Sequence, residues 1–489
     1  MEEKLLTLEP EYQQWKEILS SNVSLRPALN EALGENLRRD IREEVLCKAS
    51  DYTRYLVSLA HEAGIALGTT PRALDSWKES VPLIVSGHQP IVYHSGLLFK
   101  SQMLSQIVAD EDSFGVNLVI DTDEGDGGAV IWPTVVGDSL ELRRGSLAAS
   151  STQEGVVYGA QRVASKEIVR ELFAKIESDL RESKLHAIAD RASKVGVLYA
   201  ALAKQPVAAA HTIVRWALLG AGCCEVLLSS VVKNTGLSGV IQSLARDGLR
   251  LVESYNSELN RYRREHRIEN AANPFPNMKV AGGEVELPFW LVDGCSRKPL
   301  YARDLQGVAL RPDVFVAPRA SMTTLLVRAY VADLFVHGVG GGTYDRFVDL
   351  FASTYLKVRL PRFVVASRTR YLFPDEIART SYEIELAAQF KNMVSRTEGF
   401  LGKEIFSAKE ETELSAIISE RTRLRDKLQL VKTDQERAEI AYALNDTNRK
   451  VRACIETGTM STLLARSASN RTALQRWKCR EFPFFMFKD

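Results

Sequence analysis

The sequence predicts an α/β protein: a Rossmann-like parallel-sheet core with a helical insertion and a C-terminal antiparallel coiled-coil hairpin. Three observations carry that expectation. Leu83-Ile84-Val85 and Val116 to Ile120 are short continuous apolar runs, the pattern of strands buried on both faces. Between them, residues 96 to 109 place Leu97, Leu104, Ile107 and Val108 on one helical face, so strand, helix and strand follow in close order as a βαβ unit. Near the other end, Leu414, Ile417, Arg421, Leu424, Leu428 and Val431 step by three and four. After an interrupting "KTD" the rhythm resumes at Ile440, Leu444, Thr447, Val451 and Cys454.

The elements follow in order. Residues 1 to 75 read as a helical segment ending near Gly68 and Pro71. Residues 76 to 160 hold the first part of the core, closing with "AVIWPTVVGDSLELRRG", where Gly137-Asp138 makes a hairpin turn. Residues 161 to 270 read as a helical insertion. The second part of the core spans 271 to 400: strand-like "VELPFWLVDG" and "GVALRPDVFVAPRA", a helix from Met322 to Phe335, the glycine cluster "HGVGGGTYD", the helix "RFVDLFASTYL" and the strand "RFVVAS". The hairpin occupies 401 to 460, with Ser407 and Glu410 as its capping box. Residues 461 to 489 return to the core.

Bulk chemistry removes several functions. The 63 Lys and Arg almost cancel the 62 Asp and Glu, so no global field recruits nucleic acid or an anionic membrane. The six cysteines have no CxxC and no metal-ligand spacing with histidine. Adjacent Cys223 and Cys224 in "GAGCCEVLLSSVV" read as buried free thiols. That stretch is broken by Glu225 and does not span a membrane. The acidic N-terminus lacks the regions of a signal peptide, so the chain reads as cytoplasmic and reduced.

The chemistry gathers in "SGHQPIVYHSGLLFK", residues 86 to 100, which holds two of the seven histidines. In open α/β sheets, ligands bind where strands end and helices begin. Gly87 lets the chain turn, and Ser95 and Gly96 open a helix whose free N–H groups favour a phosphate or carboxylate. His88, Gln89 and His94 supply donors beside that anion, or merely hold the turn. Asp121 and Asp123, in "DTDEGD" after the second strand, border the same crevice and orient ribose, an amine or Mg²⁺. Gly340 and Gly341 form a second anion cradle or a tight turn. Arg319, Arg362 and Arg368 are carboxylate clamps or structural ion pairs. His337 donates to substrate or caps a helix.

Four segments together resemble the bacillithiol-biosynthesis cysteine-adding enzyme family, as a divergent branch. Ser86-Gly87-His88-Gln89 with Ser95-Gly96-Leu97 is similar to the family's T-G-Q-Q segment and glycine-rich helix start. Leu310-Arg311-Pro312 and Gly340-Gly341-Gly342-Thr343-Tyr344 resemble its L-R-P strand and glycine-proline-glycine-glutamate turn. Pro361-Arg362 and "ASRT", residues 366 to 369, are similar to its following P-R segment, and the hairpin falls in the family's place. Here His88 replaces the first glutamine, the turn lacks its proline, and Tyr344-Asp345 stands where the family has glutamate.

The resemblance implies a Rossmann-like core and the joining of cysteine to glucosaminyl malate. It makes Tyr344 and Asp345 substrate-side residues. The function expected is therefore a nucleotide-dependent ligase or transferase, using ATP or another nucleotide with Mg²⁺, that activates a carboxylate and passes it to an amine. Its partners are a small-molecule substrate and a second copy of the chain, joined through the coiled coil. Two rivals stand beside it: a nucleotidylyltransferase of the same fold that releases pyrophosphate, and a non-catalytic metabolite-binding protein that dimerises through its hairpin.

Overall fold

The computed structural model describes residues 5–71, 77–137, 139–149, 155–308, 311, 313–403 and 405–488. A short strand, β1 (Leu6–Glu9), precedes helices α1 (Trp15–Val23), α2 (Arg26–Leu33) and α3 (Glu35–Glu62). Residues 5 to 71 are therefore not wholly helical, because β1 pairs antiparallel along the sheet edge. The predicted βαβ unit follows as β2 (Leu83–His88), α4 (Ser95–Asp110) and β3 (Phe114–Val119). A two-stranded ribbon, β4 (Ala129–Val136) and β5 (Ser139–Ser146), turns at Gly137, whose φ of 59° lies in the left-handed region. Asp138, its predicted partner in the turn, lies outside the described residues.

The expected helical insertion contains α5 (Lys166–Glu182), α6 (His186–Ala201) and α7 (Val207–Leu219), then β6 (Cys224–Leu227), α8 (Leu228–Val232), α9 (Gly236–Arg246) and α10 (Gly248–Glu265). It is not purely an insertion. The "CEVL" run is a strand of the main sheet, pairing parallel with β3. Next come β7 (Val280–Ala281), β8 (Glu284–Asp293), β9 (Ser296–Tyr301), α11 (Leu305–Val308) and β10 (Val314–Pro318), whose strands form a separate antiparallel sheet. Leu310 and Pro312 of the L-R-P segment lie outside the described residues.

The helix expected from Met322 to Phe335 is two elements, α12 (Ala320–Tyr330) and β11 (Leu334–His337). The glycine cluster is the first turn of α13 (Val339–Phe351), which leads to β12 (Phe363–Arg368). Beyond these lie α14 (Pro374–Ala388), α15 (Phe390–Ser395), α16 (Ala408–Leu430), α17 (Asp434–Thr457) and α18 (Thr459–Trp477).

The main sheet runs β1-β12-β11-β2-β3-β6, and every pairing except that of β1 is parallel. Alternation explains the apolar runs. Leu83 and Val85 of β2 join the cluster that packs under α9, α10 and α12, while Ile84 faces the opposite layer with Leu104 of α4 and Trp15 of α1. Each such residue leaves water completely, worth roughly 1.5–3 kcal/mol apiece. In chain order the five parallel strands read 3-2-1-4-5 from β6 to β12, a Rossmann-like order. The direction of travel reverses between β2 and β11. That reversal opens a crevice at the carboxyl edge of the sheet.

The chain divides into two compact units, one of residues 1–134, 142–370 and 480–489, the other of 135–141 and 371–479. The second unit contains the predicted hairpin: α16 and α17 pack together, and Ser407 and Glu410 make the reciprocal capping box. Residues 461 to 479, expected to return to the core, instead continue in this unit as α18, which packs on α14. Only residues 480 to 489 rejoin the first unit.

Candidate functional site

A cleft of about 550 Å³ lies at the reversal point. The strand ends supply Gly87 and His88 from β2, His337 from β11 and Ser367 from β12. Two helices begin beside it. His94 caps α4 through its side chain, and Gly338 caps α13, so the unsatisfied N–H groups of both first turns belong to the cleft wall.

Lys100 projects from the second turn of α4 into this wall. It is only 5% exposed, and its Nζ donates to the Gly87 carbonyl at 2.6 Å. One backbone acceptor does not satisfy an ammonium with three donors. Burial accordingly pulls its pKa down to about 8.

The two flanking histidines are neutral. Burial, reinforced by the Lys100 charge, takes His88 down to about 3, and burial with Arg480 takes His94 down to about 4. His94 Nδ1 accepts from the Gly96 N–H at 3.1 Å, which leaves Nε2 carrying the hydrogen as a donor. His88 Nδ1 lies 3.2 Å from the Gln89 carbonyl, so that nitrogen holds the hydrogen and Nε2 is bare. His94 therefore presents a donor to the cleft. His88 does not, because its free nitrogen is an acceptor.

One wall is a rigid polar ladder. Gln89 Nε2 donates to Asp123 at 2.9 Å, and Arg297 meets the same carboxylate at 2.6 Å. The Arg297 guanidinium lies 4.2 Å from the Trp290 ring centre, and Arg319 covers the ring at 4.1 Å. Trp290 thus has an arginine against it on each count and serves to fix both forks. Arg319 is committed to Glu286 at 2.7 Å, so it is a structural ion pair, not a carboxylate clamp. Arg480 also reaches the cleft, because the C-terminal tail docks there through a Phe484 N–H to Tyr93 carbonyl bond and a His94–Pro483 bridge.

Beneath the cleft lies a buried charged network. His337 Nε2 is 2.9 Å from Asp345, and Asp345 also takes Arg328 at 2.7 Å and Thr324 at 2.6 Å. Burial pushes the Asp345 carboxyl up, but Arg328, His337 and Thr324 outweigh it and hold it below the ordinary range. Burial lowers His337, with Asp345 opposing. Gly341 packs against the ring, and a side chain there would meet Nδ1 at 2.4 Å.

The sequence-predicted residues divide accordingly. Gly87, His88, Gln89, His94, Gly96, Asp123, His337, Gly340, Gly341 and Tyr344 all line the cleft, with Ser95 buried just behind Gly96. Asp121 does not line it. Its carboxylate accepts the Ser229 N–H at 2.9 Å and the Ser229 hydroxyl at 2.5 Å, tying β3 to α8, and burial raises it to about 6. Asp345 supports His337 from below and does not face the cleft. Arg362 lies in a different groove beside β1, and Arg368 stacks over Phe99. Lys100, Arg297, Trp290 and Arg480 were not singled out from the sequence. Lys100 carries a sequence signal: it ends the histidine-bearing stretch 86 to 100 and sits six residues after His94.

Among the described residues, no group of three or more His, Cys, Asp and Glu is placed to hold a metal ion. Asp123 is the only carboxylate among the described residues of the cleft wall. Comparison of the sequence with protein-family models and with curated proteins returned no match. Fold and site define the class of protein: an open α/β chain with a mostly parallel six-stranded sheet and a basic cleft at its reversal point.

Proposed function

We propose that the chain is an ATP-dependent ligase or transferase that activates a carboxylate and passes it to an amine, a branch of the chemistry implied by its resemblance to the cysteine-adding enzymes, with a substrate of its own. One observation carries the reading: an underpartnered buried lysine lies between two helix N-termini at the reversal point of a Rossmann-like sheet. Such a place suits adjacent phosphates, one at each helix start. A nucleotide fits a cleft of this size. Mg²⁺ enters on the phosphates in this reading, since Asp123 is already engaged by Gln89 and Arg297. A reducing, cytoplasmic location is part of this reading.

Calorimetry with ATP and with pyrophosphate tests the reading. Both bind the wild type, and Lys100→Met weakens each by about 10- to 100-fold, the range for a lost hydrogen bond to a charged group. Absence of binding to either ligand sinks the proposal. Product analysis then separates its rivals: pyrophosphate release with no amine acceptor indicates a nucleotidylyltransferase, and binding without turnover indicates a sensor.

A further inference from the structure

We propose that His337 is the proton acceptor of this cleft, oriented by Asp345, taking a hydrogen from the attacking nucleophile through Nδ1. The inference rests on the transfer reaction proposed above, but its geometry stands independently.

Three histidines face the cleft, and their hydrogen bonds give them different work. His94 spends its bare nitrogen on the Gly96 N–H. His88 keeps a bare nitrogen, but its other nitrogen faces only a backbone carbonyl. Lys100 opposes added positive charge on both His88 and His337, and Arg328 opposes it on His337 too, so what separates them is the group behind the ring. His337 alone of the three has a carboxylate behind it, at 2.9 Å. Asp345 is held ionised by Arg328, so Nε2 carries the hydrogen and Nδ1 is the bare nitrogen. Among the described residues, no protein group bonds that nitrogen. A carboxylate that fixes the tautomer and stabilises the imidazolium is what a positioned base requires.

Gly341 supplies the second observation. A Cβ at this position would stand 2.4 Å from Nδ1, so only glycine lets the start of α13 come this close to the base without covering Nδ1 with a side chain. The residue lies in the first turn of α13, where helical φ gives no reason for glycine, and glycine is a poor helix former. An anion at the same helix start would stabilise the protonated ring, so occupancy of the phosphate site and basicity of His337 are coupled.

The step balances. The nucleophile's nitrogen forms a bond to the activated acyl carbon, and the phosphate leaving group departs with the electron pair of its C–O bond. The hydrogen released from nitrogen passes to His337 Nδ1, while Nε2–H stays bonded to Asp345.

Nitrogen-15 spectra of histidine-labelled full-length chain, with pyrophosphate as probe, test this. His337 should show a protonated Nε2 and a bare Nδ1 at neutral pH, and saturating pyrophosphate should raise its titration midpoint by at least one pH unit. Asp345→Asn should mix the tautomers and blunt that rise. Should that variant not fold, Gly341→Ala serves instead: the methyl group should cut carbethoxylation of His337 by diethyl pyrocarbonate at least tenfold. A bare Nε2, a midpoint indifferent to bound pyrophosphate, or a His337 that the reagent never labels in the wild type overturns the assignment. Failure of pyrophosphate to bind, with the tautomer as stated, overturns the nucleotide reading and leaves the dyad standing.

Discussion

Lys100 holds an ammonium where the fold gives it one carbonyl. Its pKa of about 8 lies below the ordinary 10.5, so the unfolded chain binds more protons throughout that interval. Stability from this group is therefore greatest above pH 10.5 and falls as the pH drops toward 8. At neutral pH the protein carries the full cost. Lys100→Met should accordingly stabilise the ligand-free protein at pH 7, by on the order of 1–2 kcal/mol once the unpaired Gly87 carbonyl is counted. On the proposed function the same change should weaken anion binding. Thermal melting with and without pyrophosphate checks both signs, and a variant that melts lower than wild type at pH 7 contradicts the argument. A buried lysine that costs stability is the kind of local inconsistency expected at a functional site, which is the role proposed for this cleft. Asp121 shows the contrasting outcome: of two aspartates two residues apart, Asp121 is spent on Ser229 and only Asp123 lines the cleft.

At the scale of elements, the hairpin shows what heptad spacing determines and what it leaves open. Near its base, Leu414, Thr447, Val451 and Ile455 are buried within their own unit, and Arg421 is enclosed by Glu398, Asn448 and Thr397. Toward the tip the seam loosens. Leu424, Leu428, Ile440 and Leu444 are only half-buried, and Leu430 and Tyr442 are 79% and 68% exposed. A second copy of the chain is the partner proposed for this seam. Sedimentation equilibrium of the full chain should show a dimer, and Leu424→Glu with Leu428→Glu should shift it to monomer without loss of helicity. A wild type that stays monomeric at high concentration assigns the seam another role. Periodicity located α4, α16 and α17 because each repeats apolar residues by three and four behind a capping side chain. It failed at β11, where "LLVRAYVADLF" is buried on every side and the strand merges with the preceding helix. It failed at β6 because four residues among long helices carry no alternation. Candidate residues next to the first strand were legible, since strand-end position is written in local sequence. Arg297, Trp290 and Arg480 were not, because they reach the cleft through a separate sheet and a docked tail.

On the scale of the whole molecule, charge is nearly balanced but histidine is not evenly shared. All seven histidines lie in the first unit, and none in residues 371 to 479. His88, His94 and His211 are held neutral by burial, at about 3, 4 and 4, against an ordinary value of 6.5. For each, the unfolded chain binds the extra proton between those values. Stability is then complete above pH 6.5 and is lost as the pH falls toward 4. His337 is lowered by burial as well, while Asp121, raised to about 6, Glu225 and Asp349, each raised by burial, work the other way, three carboxyls against four histidines. In the second unit burial pushes the Glu398 carboxyl up, but its backbone hydrogen bond and Arg421 outweigh that and hold it below its usual range, so its contribution is lost only as the pH drops under about 4.5. The first unit should therefore fail before the second. Five of the six tryptophans (15, 77, 132, 216 and 290) lie in the first unit and Trp477 lies in the second, while α14 to α18 give the second a strong helical signal. An acid titration should show the tryptophan fluorescence transition at higher pH than the final loss of helical ellipticity at 222 nm. His94→Asn keeps a side-chain acceptor for the Gly96 N–H while removing one titrating ring, so it should flatten the first transition by about one proton. Coincident transitions by both probes would mean that the units unfold as one, and an unchanged slope in His94→Asn would mean that this histidine is not held neutral.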